Sequence, residues 1–163
     1  MNDANDSLPD LVARLGGLLE QRGALLVTAE SCTGGLIAAA CTERAGSSAW
    51  FERGFVTYSN EAKHEAIGVD AALIAAHGAV SEPVARAMAE GALAHSHAQV
   101  SLSVTGIAGP TGGSPDKPVG TVWFGFATPG SVIAEMKIFA GDRAAVRAQT
   151  VAHALSRVLQ QLR

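Results

Sequence analysis

Residues 24–29, Ala-Leu-Leu-Val-Thr-Ala, make a short continuous apolar run that passes directly into Glu30-Ser31-Cys32-Thr33-Gly34-Gly35. An apolar run without alternation marks a strand buried on both faces, and such a strand needs helices above and below it. The polar turn with two glycines, followed by Leu36-Ile37-Ala38-Ala39-Ala40, reads as a strand-turn-helix junction. That one stretch already selects an α/β architecture.

The remaining elements agree with it. Leu8, Leu11, Leu15, Leu18 and Leu19 form a helical stripe stopped by Gly23. Residues 54–58 read as a second strand, and Asn60 is expected to cap a short helix carrying Glu61, Lys63 and Glu65 before Gly68. Asp70 opens another short turn of helix ending at Gly78, and Ser81 with Pro83 starts a helix through His97. Residues 99–105 form a third strand. Residues 106–118 are too rich in Gly and Pro for regular structure and form a binding loop. Residues 119–128 and 132–139, divided by Pro129-Gly130, make a late β-hairpin, and Asp142 caps a last helix carrying Val146, Val151, Leu155, Val158, Leu159 and Leu162. The order is α-β-α-β-α-α-β-β-β-α. The reading is one domain over residues 6–163, a three-layer α/β/α fold with a mixed, mostly parallel sheet.

Composition removes several function classes. With 163 residues, 48% of them hydrophobic, the chain can build its own core without disulfides or a structural metal. A net charge of −3 and the lack of a Lys/Arg run argue against nucleic acid as a partner. The start of the chain carries Asp3, Asp6 and Asp10 where a secretory signal would be basic and then apolar, and no segment reaches the length of a membrane helix. A cytoplasmic protein with no membrane partner is expected, its two cysteines, Cys32 and Cys41, reduced and nine residues apart in one helical stretch. Of the five histidines only His95 and His97 are close, and two residues apart on a helix they diverge, so no metal site is expected.

Two constellations can carry chemistry. A serine between a buried strand and a helix start has its hydroxyl near free backbone amides, which suits a nucleophile or an anion ligand, although Ser31 or Thr33 serves equally as a helix cap. Tyr58-Ser59-Asn60-Glu61-Ala62-Lys63 puts the chain's one tyrosine at a strand end and a lysine one helical turn later. A lysine kept neutral by burial can take a proton from serine and a phenol can relay it, whereas Lys63 between Glu61 and Glu65 also fits a solvated helix face. Ser48, after Gly46-Ser47, offers a further hydroxyl or simply a turn. For an anionic ligand the candidates are the glycines of the 106–113 loop and Arg143 and Arg147, which share a face of the last helix.

Taken in order, Thr28-Ala29-Glu30-Ser31-Cys32-Thr33-Gly34-Gly35, then residues 54–63, Gly78-Ala79-Val80-Ser81-Glu82, Thr105-Gly106-Ile107-Ala108-Gly109-Pro110 and Gly120-Thr121-Val122-Trp123 resemble the CinA C-terminal family over almost the whole chain. The larger competence/damage-inducible members carry an additional N-terminal domain. The present sequence resembles the stand-alone members, and the resemblance implies a metal-independent, cofactor-free amidohydrolase that converts nicotinamide mononucleotide and water to nicotinic acid mononucleotide and ammonia.

The resemblance implies Ser31 as nucleophile and Lys63 as base, with Tyr58 and Ser48 assisting. Substrate binding is then expected from Thr33, Gly34, Gly35, Thr105, Gly106, Gly109, Gly112, Gly113, Arg143 and Arg147. The phosphate would rest on the arginines and loop amides, and the oxyanion on the amides of Thr33 and Gly34. The expected partners are a small nucleotide and a second copy of the chain in a homo-oligomer, most simply a dimer. The alternative is a non-catalytic pyridine-nucleotide-binding or interaction module, which has no use for Ser31, Tyr58 and Lys63 together.

Overall fold

A computed structural model describes residues 6–163. The acidic start at Asp3 therefore lies outside the described residues. Helix α1 (Leu8–Arg22) begins where the Ser7 hydroxyl accepts the Asp10 amide, and it stops at Gly23, whose φ of 60° only glycine adopts without strain. Strand β1 (Leu26–Glu30) is buried along its whole length. It feeds a turn, helix α2 (Leu36–Thr42), a short 3₁₀ turn (Ser47–Ala49) and strand β2 (Phe51–Val56). Helices α3 (Asn60–Ile67), α4 (Ala71–His77) and α5 (Glu82–Ala94) follow, then strands β3 (Val100–Gly106), β4 (Thr121–Thr128) and β5 (Ser131–Ile138) and helix α6 (Arg143–Leu162).

The five strands run in the order β2-β1-β3-β4-β5. Leu26 and Leu102, with Val104, Phe124 and Phe126, pack against α1, α2 and α6 on one face. Val27 and Ala29 point the other way into a cluster with Ile67, Val84 and Met88 of α3 and α5. Alternate residues of β1 thus serve two cores, which is why its sequence shows no polar period. Small residues set the sheet-to-α5 distance: Ser101 and Ser103 donate to the Ala89 and Ala85 carbonyls at 2.8 and 2.6 Å.

The three-layer α/β/α arrangement and the late hairpin are as the sequence indicates, with four corrections. The sheet is evenly mixed, not mostly parallel: β1 pairs in parallel with β2 and β3, while β3–β4 and β4–β5 are antiparallel. The stretch opened by Asp70 and ended at Gly78 is a helix, as expected, so three helices separate β2 from β3. The cap of α3 is Ser59, whose hydroxyl accepts the Ala62 amide, and Asn60 is the first helical residue. Strand β2 ends at Val56, which frees residues 57–59 to turn toward Lys63, and Cys32 sits in the turn before α2, so the two cysteines do not share a helix.

From β1 the chain crosses through α2 to β2 on one side, and β3 lies on the other side. The crevice beyond the carboxyl ends of β1 and β3 is therefore a topological switch point, the place where open α/β sheets bind ligands.

Candidate active site

Ser31 follows the last residue of β1, and its amide donates to the Val104 carbonyl at 3.1 Å, so the β1–β3 ladder fixes its backbone. Its hydroxyl lies 3.0 Å from Lys63 Nζ. Lys63 comes from the first turns of α3, pointed inward, and is only 1% exposed. Its Nζ also donates to the carbonyls of Thr57 at 2.9 Å and Tyr58 at 3.1 Å. Among the described residues no carboxylate lies within ion-pair reach of it.

That environment decides its protonation. Removal from water without a counter-ion disfavours the ammonium, and burial lowers the Lys63 pKa from 10.5 to about 8. A neutral amine has two N–H bonds and one lone pair. In the neutral form its two N–H bonds go to the nearer carbonyls, Thr57 and Tyr58, with the Ser59 carbonyl farther off at 3.5 Å, and the lone pair is left for the Ser31 hydroxyl proton. The arrangement is a serine held against a buried base.

The pair opens into a cavity of about 340 Å³ lined by residues of the turn after β1, the β2–α3 connection, α3, the α4–α5 connection, the end of β3 and the loop after it, and the start of α6. Arg143 brings a fixed positive charge to the lining and no acidic side chain lies in it, so the cavity favours an anionic ligand. Arg143 Nη1 donates to the Gly109 carbonyl at 2.9 Å and Nη2 to the Tyr58 hydroxyl at 3.3 Å, which ties α6 to both rims. The loop is anchored in turn by Lys117 Nζ on the His77 carbonyl at 2.9 Å, at the C-terminal end of α4.

Several expected residues meet here and several do not. Thr105, Gly106, Gly109, Gly112 and Arg143 line the cavity. Thr33 and the glycines at 34, 35 and 113 do not: the Thr33 hydroxyl turns inward to Glu30, and a Cβ on Gly113 would lie 2.8 Å from the Val119 amide nitrogen. Arg147 also lies outside the lining, and its guanidinium donates to the Cys32 and Thr33 carbonyls, each at 3.2 Å. Ser48 is a correction. It is exposed in the 3₁₀ turn at the opposite end of β2, and six strand residues at roughly 3.3 Å each place it about 20 Å away along the strand.

Tyr58 takes part differently from expectation, because its phenol meets Arg143 while its carbonyl meets Lys63. Burial pushes the Cys32 thiol up to about 11, so it stays protonated beside Ser31 and is no rival nucleophile. No group of three His, Cys, Asp or Glu side chains suited to a metal occurs among the described residues. No helix is long and apolar enough to cross a membrane.

Glu30 is a functional residue that the sequence pattern contains but does not explain. Its carboxylate, 1% exposed, accepts the Thr33 hydroxyl at 2.6 Å and the amides of Ile37 and Ala38 at 2.8 and 3.0 Å. An acid closing an otherwise apolar strand was the signal. A buried carboxylate needs donors, and the amides at a helix start supply them.

The model of the CinA C-terminal domain matches residues 9–162. The chain belongs to the CinA C-terminal domain family. It is 56% identical over 158 residues to the nicotinamide-nucleotide amidohydrolase PncC of Escherichia coli K12, covering 96% of each chain. It is 52% identical to the PncC of Pseudomonas putida, covering 95% of this chain and 97% of that one. Among solved CinA-family structures, the competence damage-inducible protein A of Klebsiella pneumoniae superposes with a TM-score of 0.93 at 40% identity, covering 96% and 98% of the two chains. A competence/damage-inducible protein of Agrobacterium tumefaciens gives 0.91 at 44% identity, covering 99% and 96%.

Proposed function

We propose that residues 6–163 form one amidohydrolase domain that hydrolyses the carboxamide of nicotinamide mononucleotide in the cytoplasm, giving nicotinic acid mononucleotide and ammonia. The observation that carries this reading is the 3.0 Å contact between the Ser31 hydroxyl and a fully buried Lys63 amine. The similarity to curated nicotinamide-nucleotide amidohydrolases supplies the substrate.

In this mechanism the phosphate lies toward Arg143 and the loop after β3, and the carboxamide faces Ser31. Lys63 takes the Ser31 proton as Oγ bonds to the carboxamide carbon. The tetrahedral oxyanion is stabilised by an amide of the Ser31–Gly35 turn. Gly34 already donates to the Ser31 carbonyl at 3.1 Å and Thr33 lies outside the lining, so the amide of Cys32, which lines the cavity and donates to no backbone carbonyl among the described residues, is assigned to it. Such a donor is worth about 3 to 4 kcal/mol in the transition state.

Collapse breaks the C–N bond, and the leaving nitrogen receives the proton held on Lys63 and departs as ammonia. Water then attacks the acyl-Ser31 carbonyl while Lys63 accepts its proton. The second collapse returns that proton to Ser31 and releases the carboxylate.

Ammonia release from nicotinamide mononucleotide in the presence of EDTA, beside Lys63→Ala, is the test. Release that survives chelation and is lost in the variant is expected; tight nucleotide binding without release would favour the non-catalytic module. The exposed apolar residues Ile133, Met136 and Ile138 on edge strand β5 lead us to expect a homodimer, which sedimentation will check.

A further inference from the structure

We infer that Arg147 is a positioning residue, acting on the reaction through the turn that carries Ser31 and not through the substrate phosphate. The inference rests on the reading of Ser31 as the nucleophile of an amidohydrolase. Arg147 lies one helical turn after Arg143 on α6, yet the two side chains serve different places. Arg143 reaches the cavity, whereas Arg147 is half-buried behind the turn and outside the lining.

Its planar fork meets two consecutive main-chain carbonyls, Nε on Cys32 and Nη2 on Thr33, each at 3.2 Å. No carboxylate pairs with it among the described residues. A guanidinium without a counter-ion, set with two donors against adjacent carbonyls, uses the fixed fork geometry that lysine lacks. The fit is close as well as polar: a Cβ on Gly34 would lie 3.6 Å from Nη2.

The consequence follows from the planarity of the peptide unit. The Cys32 carbonyl and the Thr33 amide belong to one trans peptide and point in opposite directions. Holding the carbonyl therefore fixes the plane of this peptide and with it the placement of Cys32, which lines the cavity beside Ser31 and carries the amide assigned to the oxyanion. The other polarity of the same turn is held by Glu30, through the Thr33 hydroxyl and the Ile37 and Ala38 amides. Cation and anion thus grip the turn on its carbonyl and donor groups, with Ser31 at its start.

Steady-state kinetics with nicotinamide mononucleotide on Arg147→Met and Arg147→Lys, with labelling of Ser31 by a fluorophosphonate probe, test this. Misplacement of the turn predicts kcat in Arg147→Met lower by about 100-fold with KM unchanged, and a smaller loss in Arg147→Lys. Added guanidinium ion should restore much of the lost kcat in Arg147→Met. Labelling needs no nucleotide phosphate, so it should slow in parallel.

A raised KM with kcat and labelling retained would make Arg147 a phosphate ligand and overturn the proposal. Equal labelling rates in wild type and both variants would overturn it too. If wild type labels at Ser31 but releases no ammonia, the functional reading fails while the labelling comparison still judges Arg147. If Arg147→Met does not fold, Arg147→Lys carries the comparison.

Discussion

The acid limb of the pH profile is the most direct consequence of burying Lys63. With its pKa lowered from 10.5 to about 8, the neutral fraction is about one tenth at pH 7 and about one hundredth at pH 6. An ordinary lysine would be neutral to about 3 parts in 10,000 at pH 7, so burial raises the available base about 300-fold, equivalent to about 3.4 kcal/mol. Initial rates of ammonia release at low substrate should therefore give a kcat/KM that rises tenfold per pH unit and levels off above pH 8 or so. In the enzyme–substrate complex the phosphate dianion favours the ammonium, so the limb in kcat should lie at higher pH than the limb in kcat/KM. The folded pKa lies below the unfolded one, so between about pH 8 and 10.5 the unfolded chain holds more protons, and stability should rise with pH across that window. A profile that levels off near pH 6.5, as a histidine base would give, or one that is flat from pH 6 to 9, would refute the assignment of Lys63 as base.

Three further outcomes are expected. Ser31→Ala should abolish turnover while nucleotide binding by calorimetry persists, and Ser48→Ala should retain near-normal rates; the reverse pattern would move the nucleophile. Arg143→Ala should raise KM for nicotinamide mononucleotide by roughly 10- to 150-fold, the worth of a charged hydrogen bond, with a far smaller effect on the riboside, which lacks the phosphate. Gly125→Ala should lower the urea midpoint by the equivalent of about 1 to 3 kcal/mol or more, because its Cβ would sit 2.3 Å from the Ala85 carbonyl oxygen.

What the sequence made legible was local and periodic. The unbroken apolar run of β1, the stop at Gly23, the caps at Asp70 and Asp142, and the Pro129-Gly130 turn each place a boundary by backbone chemistry alone. The Ser31 and Lys63 pairing was legible through the family resemblance, since the residues alone left Lys63 open to a solvated face. What was hidden depends on contacts distant in the chain. Arg143 and Arg147 look alike on one helix face, and only the packing of α6 against the turn 115 residues earlier separates a cavity residue from a backbone clamp. Ser48 misled because nearness in sequence to a strand says nothing about which end of the sheet it occupies.

The docking of α6 has a consequence for the order of events during synthesis. The nucleophile and base are complete once residues 31 and 63 have folded together with β3. Arg143 and the clamp on the turn arrive only with the last helix, Arg143–Leu162. A nascent chain halted before α6 would carry Ser31 beside Lys63 yet lack both the cationic rim and the grip on the turn. Hydrolytic competence is thus withheld until the twenty-residue helix α6 packs across a sheet whose five strands all precede it in the chain.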